Sequence, residues 1–482
     1  MKLNKLLNRI NIETSSEKEI NFLCNDSRKA TSDSLFICIK GFSADGHKYA
    51  FSAYDKGCRA FIAEDEITLP DDAEIFYHKD TRKAMALLSA EINGNPEENL
   101  TLIGITGTKG KTSISYTLKS ILEKQGRKVG LMGTVGIMYG ETLIESPNST
   151  PESTVIHKYL REMYENGVDT VIMEATSQGF KLHRTYGITF DVGIYTNLSP
   201  DHIGPNEHES FEEYRECKKM LFSQSKTIIA NGDCEHLEYL SKDCNVEITT
   251  FGFGNVQHKA TNEKYEKDEN GLYTSFLCDG EEYKTYIPGK FSIYNALAAI
   301  ITSRYIGISE DKIKNGLEET RVEGRMESIA LPTGAVAIID YAHNELSAEN
   351  LFEALKLYKP QKITTVFGCG GNRSKLRRYG MGEIIAKNSD LSIVTSDNPR
   401  DESLEDIIND IFVGINKTKG KSIVIKDRKE AIEYAVKNSI NGEYILVIGK
   451  GHQHYEEIKG VHYPFFEAEI INQAFFGEIA SR

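Results

Sequence analysis

The chain has 482 residues, of which 40% are hydrophobic and 27% charged, and its formal net charge is −14. A chain of this length exceeds one ordinary core and is expected to form several domains, and its composition is typical of a soluble globular protein. The acidic balance excludes a wide nucleic-acid interface, which needs a lysine and arginine surface. No apolar run approaches the roughly 20 residues that span a bilayer.

The cysteines and the N-terminal residues indicate the cellular compartment of the protein. The eight cysteines are scattered and form no Cys-x-x-Cys pair, which favours reduced thiols over a metal cluster or a disulfide framework. The opening MKLNKLLNRINIE has neither a long apolar core nor a small-residue cleavage site, as a signal peptide would. We therefore expect a cytoplasmic protein.

The first part of the chain, residues 1–98, predicts a small α/β domain. Strands are predicted at 34–41 and 59–64, and polar clusters lie at strand ends, at 26–28 and 41–47. Loops at strand ends are where α/β folds bind ligands. Ordinary turn chemistry explains the same clusters equally well, so both interpretations stay open at this point.

A glycine-rich stretch, LIGITGTKGKTS, predicts a strand, a loop and the start of a helix. Gly107 and Gly110 allow backbone N–H groups to point into one concavity at a helix N-terminus, which favours phosphate. Lys111 supplies a charge for the terminal phosphates, and the Thr112 hydroxyl is placed to bind Mg²⁺. The first glycine of the usual P-loop would fall at Ile105, so the loop is one residue short. A glycine-rich turn without a ligand is the alternative.

The loop is predicted to belong to a central domain, residues 99–325, built on a parallel sheet. Near-continuous apolar strands alternate with helices, which is typical of a parallel sheet covered on both faces. These strands are predicted at 128–136, 170–177, 190–202 and 226–233. Segment 246–290 alternates more and has more turns, so we expect an antiparallel flap or edge there, followed by a helix that begins near Ser292.

The last third, residues 326–482, repeats the α/β rhythm and predicts a Rossmann-like domain that closes on the nucleotide domain. Its strands end in polar clusters, where an open α/β sheet presents its binding crevice. They are predicted at 335–342, 362–371, 390–399 and 443–451. The predicted fold is therefore α/β with three domains.

A glutamate and a histidine lie at the ends of two strands of the central sheet. Strand ends of a parallel sheet lie on the same edge as the P-loop, so Glu174 can approach an Mg²⁺ held by Thr112. A strand-end glutamate that caps a loop is the alternative. His202 follows the strand at 190–202 and lies beside the expected phosphate site, although a single histidine is more often structural.

Lys218 and Arg325 are the other candidates around the nucleotide. Lys218 lies on a helix predicted over 211–222, where the pattern alone indicates a surface lysine. Arg325, in the segment GRME, lies at the junction of the second and third domains. Its guanidinium fork suits a triphosphate when the domains close, and an interdomain salt bridge is the alternative.

Two strand-end loops of the last domain predict a small-molecule pocket. Asp397-Asn398-Pro399-Arg400 follows one strand, and its arginine offers a bidentate grip for a carboxylate. The segment 449–452, GKGH, follows another strand, and its glycines permit close backbone approach. If the two loops converge, they form a pocket for an amino acid or another carboxylate.

These motifs together resemble the Mur ligase family over nearly the whole chain. GTKGKTS resembles the shortened phosphate loop of that family. FDVGIYTNLSPDH, PGKFSIYNALAA, GRME, DYAHN, FGCGGNR, TSDNPR and GKGH follow in the family's order. DSRK and KGFSADGH resemble the UDP-N-acetylmuramoyl-tripeptide synthetase type, whose N-terminal domain holds the UDP part of its substrate. The resemblance implies a central ATPase domain between this UDP-substrate domain and a C-terminal domain for the amino acid.

The resemblance also implies roles for individual residues. The residues implied in catalysis are Lys111, Lys218, His202 and Arg325. Those implied as Mg²⁺ ligands are Thr112, Glu174, His202 and, if it is carbamylated, Lys218. Those implied in ATP binding are Gly107, Thr108, Lys109, Gly110, Lys111, Thr112, Ser113, Asn295, Arg325, Asp340 and His343. Those implied in binding the UDP-linked substrate are Ser27, Gly46, His47, Thr150, Pro151, Ser177 and Arg184. Those implied in binding the amino acid are Asp397, Asn398, Arg400, Gly449 and Gln453.

The chain departs from the pattern of this type in several segments. Thr176-Ser177-Gln178 stands where the type reads SSH, and DHIGPNEHES stands where it reads DHLDYHG. Gln453 stands where it has a glutamate that meets the distal ammonium of diaminopimelate, and Ser403-Leu404 stands where it has a proline after DNPR-x-E. The catalytic residues are little affected, but the added amino acid and the acceptor stay open.

The expected activity is an ATP-dependent ligation through an acyl-phosphate, with ATP and Mg²⁺ as cofactors. The first hypothesis is a monomeric enzyme of peptidoglycan synthesis that adds an amino acid, foremost meso-diaminopimelate, to UDP-MurNAc-L-Ala-D-Glu. The second keeps the chemistry but takes the carboxylate of a natural product or polyamide. The third, a nucleotide-dependent module without catalysis, is disfavoured by the presence of both Lys218 and Arg325.

Overall fold

The structure is a computed structural model that describes residues 1–41, 44–201, 203–204, 207–242 and 244–476. The chain divides into two compact units. The first consists of Met1–Lys259 and Leu297–Gly316, and the second of Ala260–Ala296 and Leu317–Arg482. Within the described ranges, no helix combines the length and the apolar character that a membrane crossing requires.

The N-terminal part of the first unit is a four-stranded parallel sheet in the order β1-β2-β3-β4. Its elements are α1 (Leu3–Asn8), β1 (Phe22–Cys24), β2 (Ser34–Ile37), α2 (Ala50–Asp55), β3 (Ala60–Ala63), β4 (Glu74–Tyr77) and α3 (Thr81–Ile92). Successive side chains of a strand face opposite sides, so Leu35 and Ile37 join one apolar cluster and Phe36 joins another. The predicted strands are confirmed with shorter bounds, whereas β1 and β4 were not predicted.

The rest of the first unit carries the sheet that holds the P-loop. The strands run in the order β12-β11-β10-β5-β9-β6-β7-β8, and those from β12 to β6 are parallel. The elements are β5 (Thr101–Thr106), α4 (Lys111–Lys124), β6 (Val129–Gly133), β7 (Gly136–Tyr139), β8 (Thr142–Ile144), α5 (Ser153–Glu165), β9 (Thr170–Glu174), α6 (Ser177–Lys181), β10 (Val192–Tyr195), α7 (Phe211–Ser223), β11 (Thr227–Asn231), α8 (Leu237–Ser241) and β12 (Glu247–Gly252). The prediction of a parallel sheet is therefore confirmed.

One predicted strand of this sheet, 128–136, was too long. The chain turns after Gly133, and β7 returns antiparallel to β6. A side chain at Gly133 would meet the Glu174 carboxylate, since an added Cβ would lie 2.5 Å from its Oε1 atom. The turn therefore leaves room for the glutamate that ends β9.

The second unit contains an antiparallel flap and a second α/β sheet. The flap, predicted for 246–290, is formed by β13 (His258–Asp268), β14 (Gly271–Cys278) and β15 (Glu281–Thr285). It is followed by α9 (Lys290–Tyr305), close to the predicted start at Ser292, and α10 (Glu310–Glu319), most of whose residues belong to the first unit. β12 was predicted to belong to the flap, but it pairs in parallel with β11.

The α/β sheet has the order β16-β17-β21-β18-β19-β20, in which only β16 is antiparallel to its neighbour. Its elements are β16 (Glu327–Ala330), β17 (Val336–Asp340), α11 (Glu345–Lys356), β18 (Lys362–Phe367), α12 (Lys375–Asn388), β19 (Leu391–Val394), α13 (Leu404–Ile415), β20 (Ser422–Val424), α14 (Arg428–Lys437), β21 (Glu443–Ile448), β22 (Tyr455–Ile458), β23 (Val461–Pro464) and α15 (Glu467–Phe476). The predicted Rossmann-like strands are confirmed with shorter bounds, and β16 and β20 were not predicted.

A buried ion pair attaches the last helix to this sheet. Arg428, at the start of α14, donates from Nε to the Glu467 carboxylate at 2.7 Å and from Nη2 to the Ile448 carbonyl at 2.9 Å. The two side chains are 0% and 1% exposed. A charge buried this deeply needs its partner, because water cannot replace it.

We predict that Glu467→Ala lowers the free energy of unfolding of the second unit by about 3 kcal/mol, because the Arg428 guanidinium would lose its countercharge. The control is Glu405→Ala, which breaks an ion pair with Lys426 whose side chains are both 60% exposed. That change is expected to cost less than about 1 kcal/mol. Denaturant unfolding followed by circular dichroism measures both, and equal losses would contradict the prediction.

Candidate active site

The P-loop turn between β5 and α4 is possible only with glycine. Gly107 and Gly110 have φ angles of 151° and 93°, in the region that favours glycine. An added Cβ on Gly107 would lie 1.8 Å from the Thr196 hydroxyl oxygen. The loop therefore approaches the end of β10 more closely than any side chain permits.

Residues that follow β10 hold this turn in place. Thr196 donates its hydroxyl hydrogen to the Lys109 carbonyl at 2.7 Å, and the Asn197 side-chain oxygen accepts from the Lys109 N–H at 2.9 Å. Thr108 donates its N–H to the Asn197 carbonyl at 2.9 Å. The loop geometry thus depends on a strand that is distant in sequence.

Lys111, the first residue of α4, folds over the same turn. Its ammonium donates to the Gly107 carbonyl at 2.7 Å and to the Thr108 carbonyl at 3.3 Å. Burial lowers the pKa of Lys111, while Glu174 and Asp201 oppose that shift. Ser113 lies two residues further along the helix, and its carbonyl accepts from the Thr117 hydroxyl. Lys111 is thus placed above the concavity formed by the loop.

Glu174 connects the P-loop helix with the turn after β6. Its Oε1 accepts from the Thr112 hydroxyl at 2.9 Å and from the Thr134 N–H at 3.1 Å, and its Oε2 accepts from the Thr134 hydroxyl at 2.9 Å. The residue is 1% exposed. The carboxylate therefore caps the turn after β6, as the alternative interpretation expected, and it also contacts Thr112, whereas its role as a magnesium ligand stays a prediction.

The oxygen atoms of Thr112 and Glu174 fit a magnesium ion, which prefers hard oxygen ligands and retains several waters. In the ranges that the structure describes, no group of three His, Cys, Asp or Glu residues forms a denser metal site. His202, the further predicted ligand, lies outside the described residues. The donor set is consistent with a magnesium ion that also binds phosphate and water.

Lys218 is buried, so its assignment as a surface lysine was wrong. The residue is 1% exposed, and its ammonium lies 4.6 Å from the centre of the Tyr214 ring. Burial lowers the pKa of Lys218 well below its ordinary value, and the nearby Lys111 adds to the effect. The signal was present in the sequence: Tyr214, Lys218 and Leu221 follow at intervals of four and three residues, the spacing of one helix face.

Tyr214 links this lysine to the P-loop. Its hydroxyl lies 3.0 Å from the Thr108 hydroxyl, which also accepts from the Ser199 N–H at 3.0 Å. Burial raises the pKa of Tyr214 to about 12, so the phenol stays protonated. Sequence reasoning did not identify this residue, because a buried tyrosine on a helix is usually a core residue.

Four residues predicted for the UDP-linked substrate surround the end of β9, and the resemblance assigns two of them, Thr150 and Pro151, to its muramoyl-peptide part. The Thr150 hydroxyl donates to the Glu174 carbonyl at 2.7 Å, and Arg184 donates from Nη1 to the Thr150 carbonyl at 2.9 Å. Pro151 is buried before α5. The Ser177 hydroxyl lies 2.9 Å from Nε2 of the buried His208. The structure therefore brings Thr150, Pro151, Ser177 and Arg184 together beside Glu174.

The other three residues predicted for this substrate, which the resemblance assigns to its UDP part, lie in two short 3-10 helices beside the N-terminal sheet. Ser27 begins Ser27–Lys29, and Gly46 begins Gly46–Tyr49. His47 lies 2.6 Å from Asp45 through Nδ1, and its Nε2 accepts from the Glu64 N–H at 3.0 Å. Both ring nitrogens are thus engaged within the protein, and a ligand would meet the backbone of this loop.

The remaining residues predicted for ATP lie in the second unit. Asn295 is part of α9. The Arg325 guanidinium lies 5.0 Å from the Tyr341 ring centre, and the Tyr341 and His343 rings are 4.6 Å apart. The Asp340 carboxylate accepts from two backbone N–H groups, those of residues 326 and 342, at 2.8 Å each. Burial raises the pKa of Asp340.

The five residues predicted for the amino acid line one cavity of the second unit. Its volume is about 130 Å³, and its lining includes Asp397, Asn398, Arg400, Gly449 and Gln453. Arg373 and Arg377, which the sequence analysis did not identify, line it as well. The two strand-end loops therefore converge as expected, and the segment after β18 completes the wall.

The charged groups of this cavity differ in how far they are paired. Arg400 donates from Nε to Glu457 at 2.9 Å and from Nη1 to the Gly371 carbonyl at 2.7 Å. Asp397, Arg373 and Arg377 form no hydrogen bond or ion pair with any residue that the structure describes. The cavity thus offers one uncommitted carboxylate and two uncommitted guanidinium groups, which complement an amino acid with more than one carboxylate.

We predict that Glu174→Gln removes most of the effect of Mg²⁺ on ADP affinity, because a neutral amide is a poorer ligand for a hard cation. We expect a loss of about tenfold in the presence of Mg²⁺, since a tenfold change is close to one lost charge-assisted contact. The amide retains an oxygen that accepts from Thr112. Isothermal titration with and without Mg²⁺ measures the difference, and Glu162→Gln is the control.

Comparison with family models agrees with this arrangement. Residues 19–93 match the Mur ligase family catalytic domain, residues 105–303 match the Mur ligase middle domain, and residues 324–451 match the Mur ligase glutamate ligase domain. These segments contain the N-terminal sheet, the P-loop sheet except for most of β5, and the second α/β sheet.

Curated relatives match along nearly the full length. The UDP-N-acetylmuramoyl-L-alanyl-D-glutamate–2,6-diaminopimelate ligase of Alkaliphilus metalliredigens is 41% identical over 467 residues, which are 95% of this chain and 94% of that protein. The ligase of the same name from Clostridioides difficile is 39% identical over 488 residues, 98% of this chain and 99% of that protein.

Solved structures share the fold. A structure described as UDP-N-acetylmuramoyl-L-alanyl-D-glutamate–2,6-diaminopimelate ligase has a TM-score of 0.75 at 25% identity and covers 100% of both chains. A folylpolyglutamate synthase of Thermotoga maritima has a TM-score of 0.60 at 19% identity and covers 76% of this chain and 89% of that one, which shows the fold alone. From the family models and the full-length relatives, we conclude that the chain belongs to the Mur ligase family.

Proposed function

We propose that this chain is an ATP-dependent ligase of peptidoglycan precursor synthesis. It joins 2,6-diaminopimelate to the D-glutamyl carboxyl group of UDP-N-acetylmuramoyl-L-alanyl-D-glutamate. The names of the relatives, which are about 40% identical over nearly the whole chain, support this substrate pair. The observation that carries the proposal is the cavity in which Asp397, Arg373 and Arg377 form no hydrogen bond or ion pair with another residue that the structure describes.

The charges of the cavity favour diaminopimelate over lysine. Diaminopimelate has two carboxylates, which match two guanidinium groups, whereas lysine has one. Gln453 is neutral, and its side-chain oxygen accepts from Asn398 at 3.0 Å. The carboxylate available to an ammonium group of the ligand is therefore that of Asp397.

The P-loop residues support phosphorylation of the acid substrate. A carboxylate and an amine do not condense in water at neutral pH, so the carboxylate first takes the γ-phosphoryl group of ATP. Lys111 and the N–H groups of the loop stabilise the charge on the transferring group. A magnesium ion held by Thr112 and Glu174 would neutralise phosphate charge when bound. The amine then attacks the acyl-phosphate, releases phosphate and forms the amide.

We assign binding of the UDP-linked substrate to residues 1–98, binding of ATP to residues 99–325 and binding of the amino acid to residues 326–482. The N-terminal sheet, the P-loop sheet and the second α/β sheet lie within these ranges. The ATP site would draw on two of these ranges, because Asp340 and His343, which are also assigned to ATP, lie within 326–482. Closure of the amino-acid domain would exclude water from the labile acyl-phosphate.

We further propose that Lys218 is carbamylated. Its amine is buried against the Tyr214 ring, and no described carboxylate lies within ion-pair distance of it. Addition of CO₂ to the amine forms an N–C bond and releases a proton, which converts the side chain into an anion. This anion would complete the oxygen ligands of Thr112 and Glu174.

A different acid substrate is the second candidate. The bond between Ser177 and His208 joins two segments that depart from the family pattern, and it lies beside Thr150 and Arg184. A changed acceptor pocket would account for both departures. Binding of UDP separates the candidates, because an acid from a natural product or polyamide carries no UDP.

We predict that ADP release requires both the UDP-MurNAc-dipeptide and an amino acid, with meso-diaminopimelate supporting the highest kcat/KM. L-Lysine is expected to be at least about tenfold poorer, because one guanidinium contact worth about 1.5 kcal/mol would be lost. A coupled assay for ADP measures these rates. Release without the UDP-linked acid would contradict the proposed acceptor, and equal rates would contradict the amino acid.

We predict that ¹³C-bicarbonate produces a carbamate resonance in the wild-type protein that is absent in Lys218→Arg, because a guanidinium does not form a stable carbamate at neutral pH. Lys219→Arg is the matched control, since Lys219 is the next residue of the same helix. A resonance that persists in Lys218→Arg, or is missing in the wild type, would refute the modification.

A further inference from the structure

Three charged side chains meet within the first unit, where the N-terminal sheet packs beside the P-loop sheet. Arg82 comes from α3, whereas Glu152 and Arg184 come from the segments before α5 and after α6. Glu152 and Arg184 form a close ion pair at 2.6 Å. The shortest distance from Arg82 to Glu152 is 4.0 Å, which is too long for a hydrogen bond.

Arg82 has weaker polar contacts than Arg184. Its other contact is a long hydrogen bond of 3.3 Å from Nη2 to the Lys40 carbonyl, and its side chain is only 17% exposed. Burial accordingly lowers the pKa of Arg82. A guanidinium that is largely removed from water and has only weak partners is costly, so an anionic ligand would stabilise it.

The neighbouring cations are already neutralised. Lys40 contacts the carboxylates of Glu64 and Asp65 at 3.3 and 2.8 Å, and Arg28 pairs with Asp26 at 2.9 Å. Arg184 uses Nη2 for Glu152 and Nη1 for the Thr150 carbonyl. Of the residues assigned above to the UDP-linked substrate, Arg184 is the one permanent cation, and Glu152 balances its charge.

Arg82 lies near both segments assigned to that substrate. Lys40, whose carbonyl it contacts, directly precedes the loop that contains Gly46 and His47. Glu152, the carboxylate at 4.0 Å, directly follows Thr150 and Pro151. Arg82 thus lies between the segment assigned to the uridine end of the substrate and the segment assigned to its peptide end.

We propose that Arg82 binds the diphosphate of the nucleotide-sugar substrate. A diphosphate joins the uridine to the sugar, so it must lie between the two segments that Arg82 contacts. A guanidinium can donate two parallel hydrogen bonds to phosphate oxygens, which a lysine cannot. This assignment rests on the proposed function, since it requires a UDP-linked acid.

The test compares UDP with uridine, because the two ligands differ only in the diphosphate. Both are titrated calorimetrically into the wild-type protein, Arg82→Gln and Arg82→Lys. We expect Arg82→Gln to weaken UDP binding about tenfold and to leave uridine binding unchanged, and Arg82→Lys to recover part of the loss. Lys83→Gln is the matched control, because Lys83 is the next residue of α3 and contacts Asp80 at 3.2 Å.

A further variant separates binding from a purely structural role. If Arg82 acts only through its attraction to Glu152, then Glu152→Gln should weaken UDP binding as much as Arg82→Gln does, and this result would overturn the proposal. If Arg82 binds the diphosphate, Glu152→Gln removes a competing carboxylate and should leave UDP affinity unchanged or raise it. Thermal melting of each variant shows whether the fold is retained.

The outcomes distinguish this proposal from the proposed function. Wild-type protein that binds neither UDP nor uridine would contradict a UDP-linked acceptor. Wild-type protein that binds UDP more tightly than uridine, together with an unchanged UDP affinity in Arg82→Gln, would overturn the role of Arg82 and leave the acceptor intact. An equal loss of UDP and uridine binding in Arg82→Gln would also overturn it.

Discussion

The close contact between Gly107 and Thr196 is the constraint on which the first unit depends. The P-loop turn must present backbone N–H groups to phosphate, and isolated turns of this kind have many alternative conformations. Here the end of β10 leaves no space for a side chain at Gly107, and hydrogen bonds from Thr196 and Asn197 hold Lys109. The parallel pairing of β5 with β10 therefore determines the shape of the loop.

The same edge of the sheet concentrates buried charge. Burial lowers the pKa of both Lys111 and Lys218, and Lys111 further disfavours the charged form of Lys218. Glu174 lies among hydrogen-bond donors from two different segments. Such an arrangement is costly in the protein alone, and it is typical of sites that bind a ligand of complementary charge. A triphosphate with its cation would be such a ligand.

The second unit contains a small cavity lined by side chains of both charges. Buried pairs position the wall of the cavity, as when Arg378 donates to Glu402 and Asp410 at 2.8 and 2.9 Å and thereby orders α12 and α13. Asp397, Arg373 and Arg377 line the same cavity and form no hydrogen bond or ion pair among the described residues. Under the proposed function, these charged groups would select the amino acid.

Much of this organisation could be read from the sequence, because local patterns carry it. The glycine-rich loop with Lys111 and Thr112, the apolar strands and the polar strand ends are contiguous segments whose chemistry is evident from spacing. The convergence of Asp397 and Gly449 followed from the rule that parallel strands end on one edge. Tertiary packing decided the rest. It buries Lys218 against Tyr214, leaves Arg373 without a hydrogen bond or ion pair among the described residues, and sets Arg82 beside Glu152, because burial and pairing depend on residues far apart in the chain.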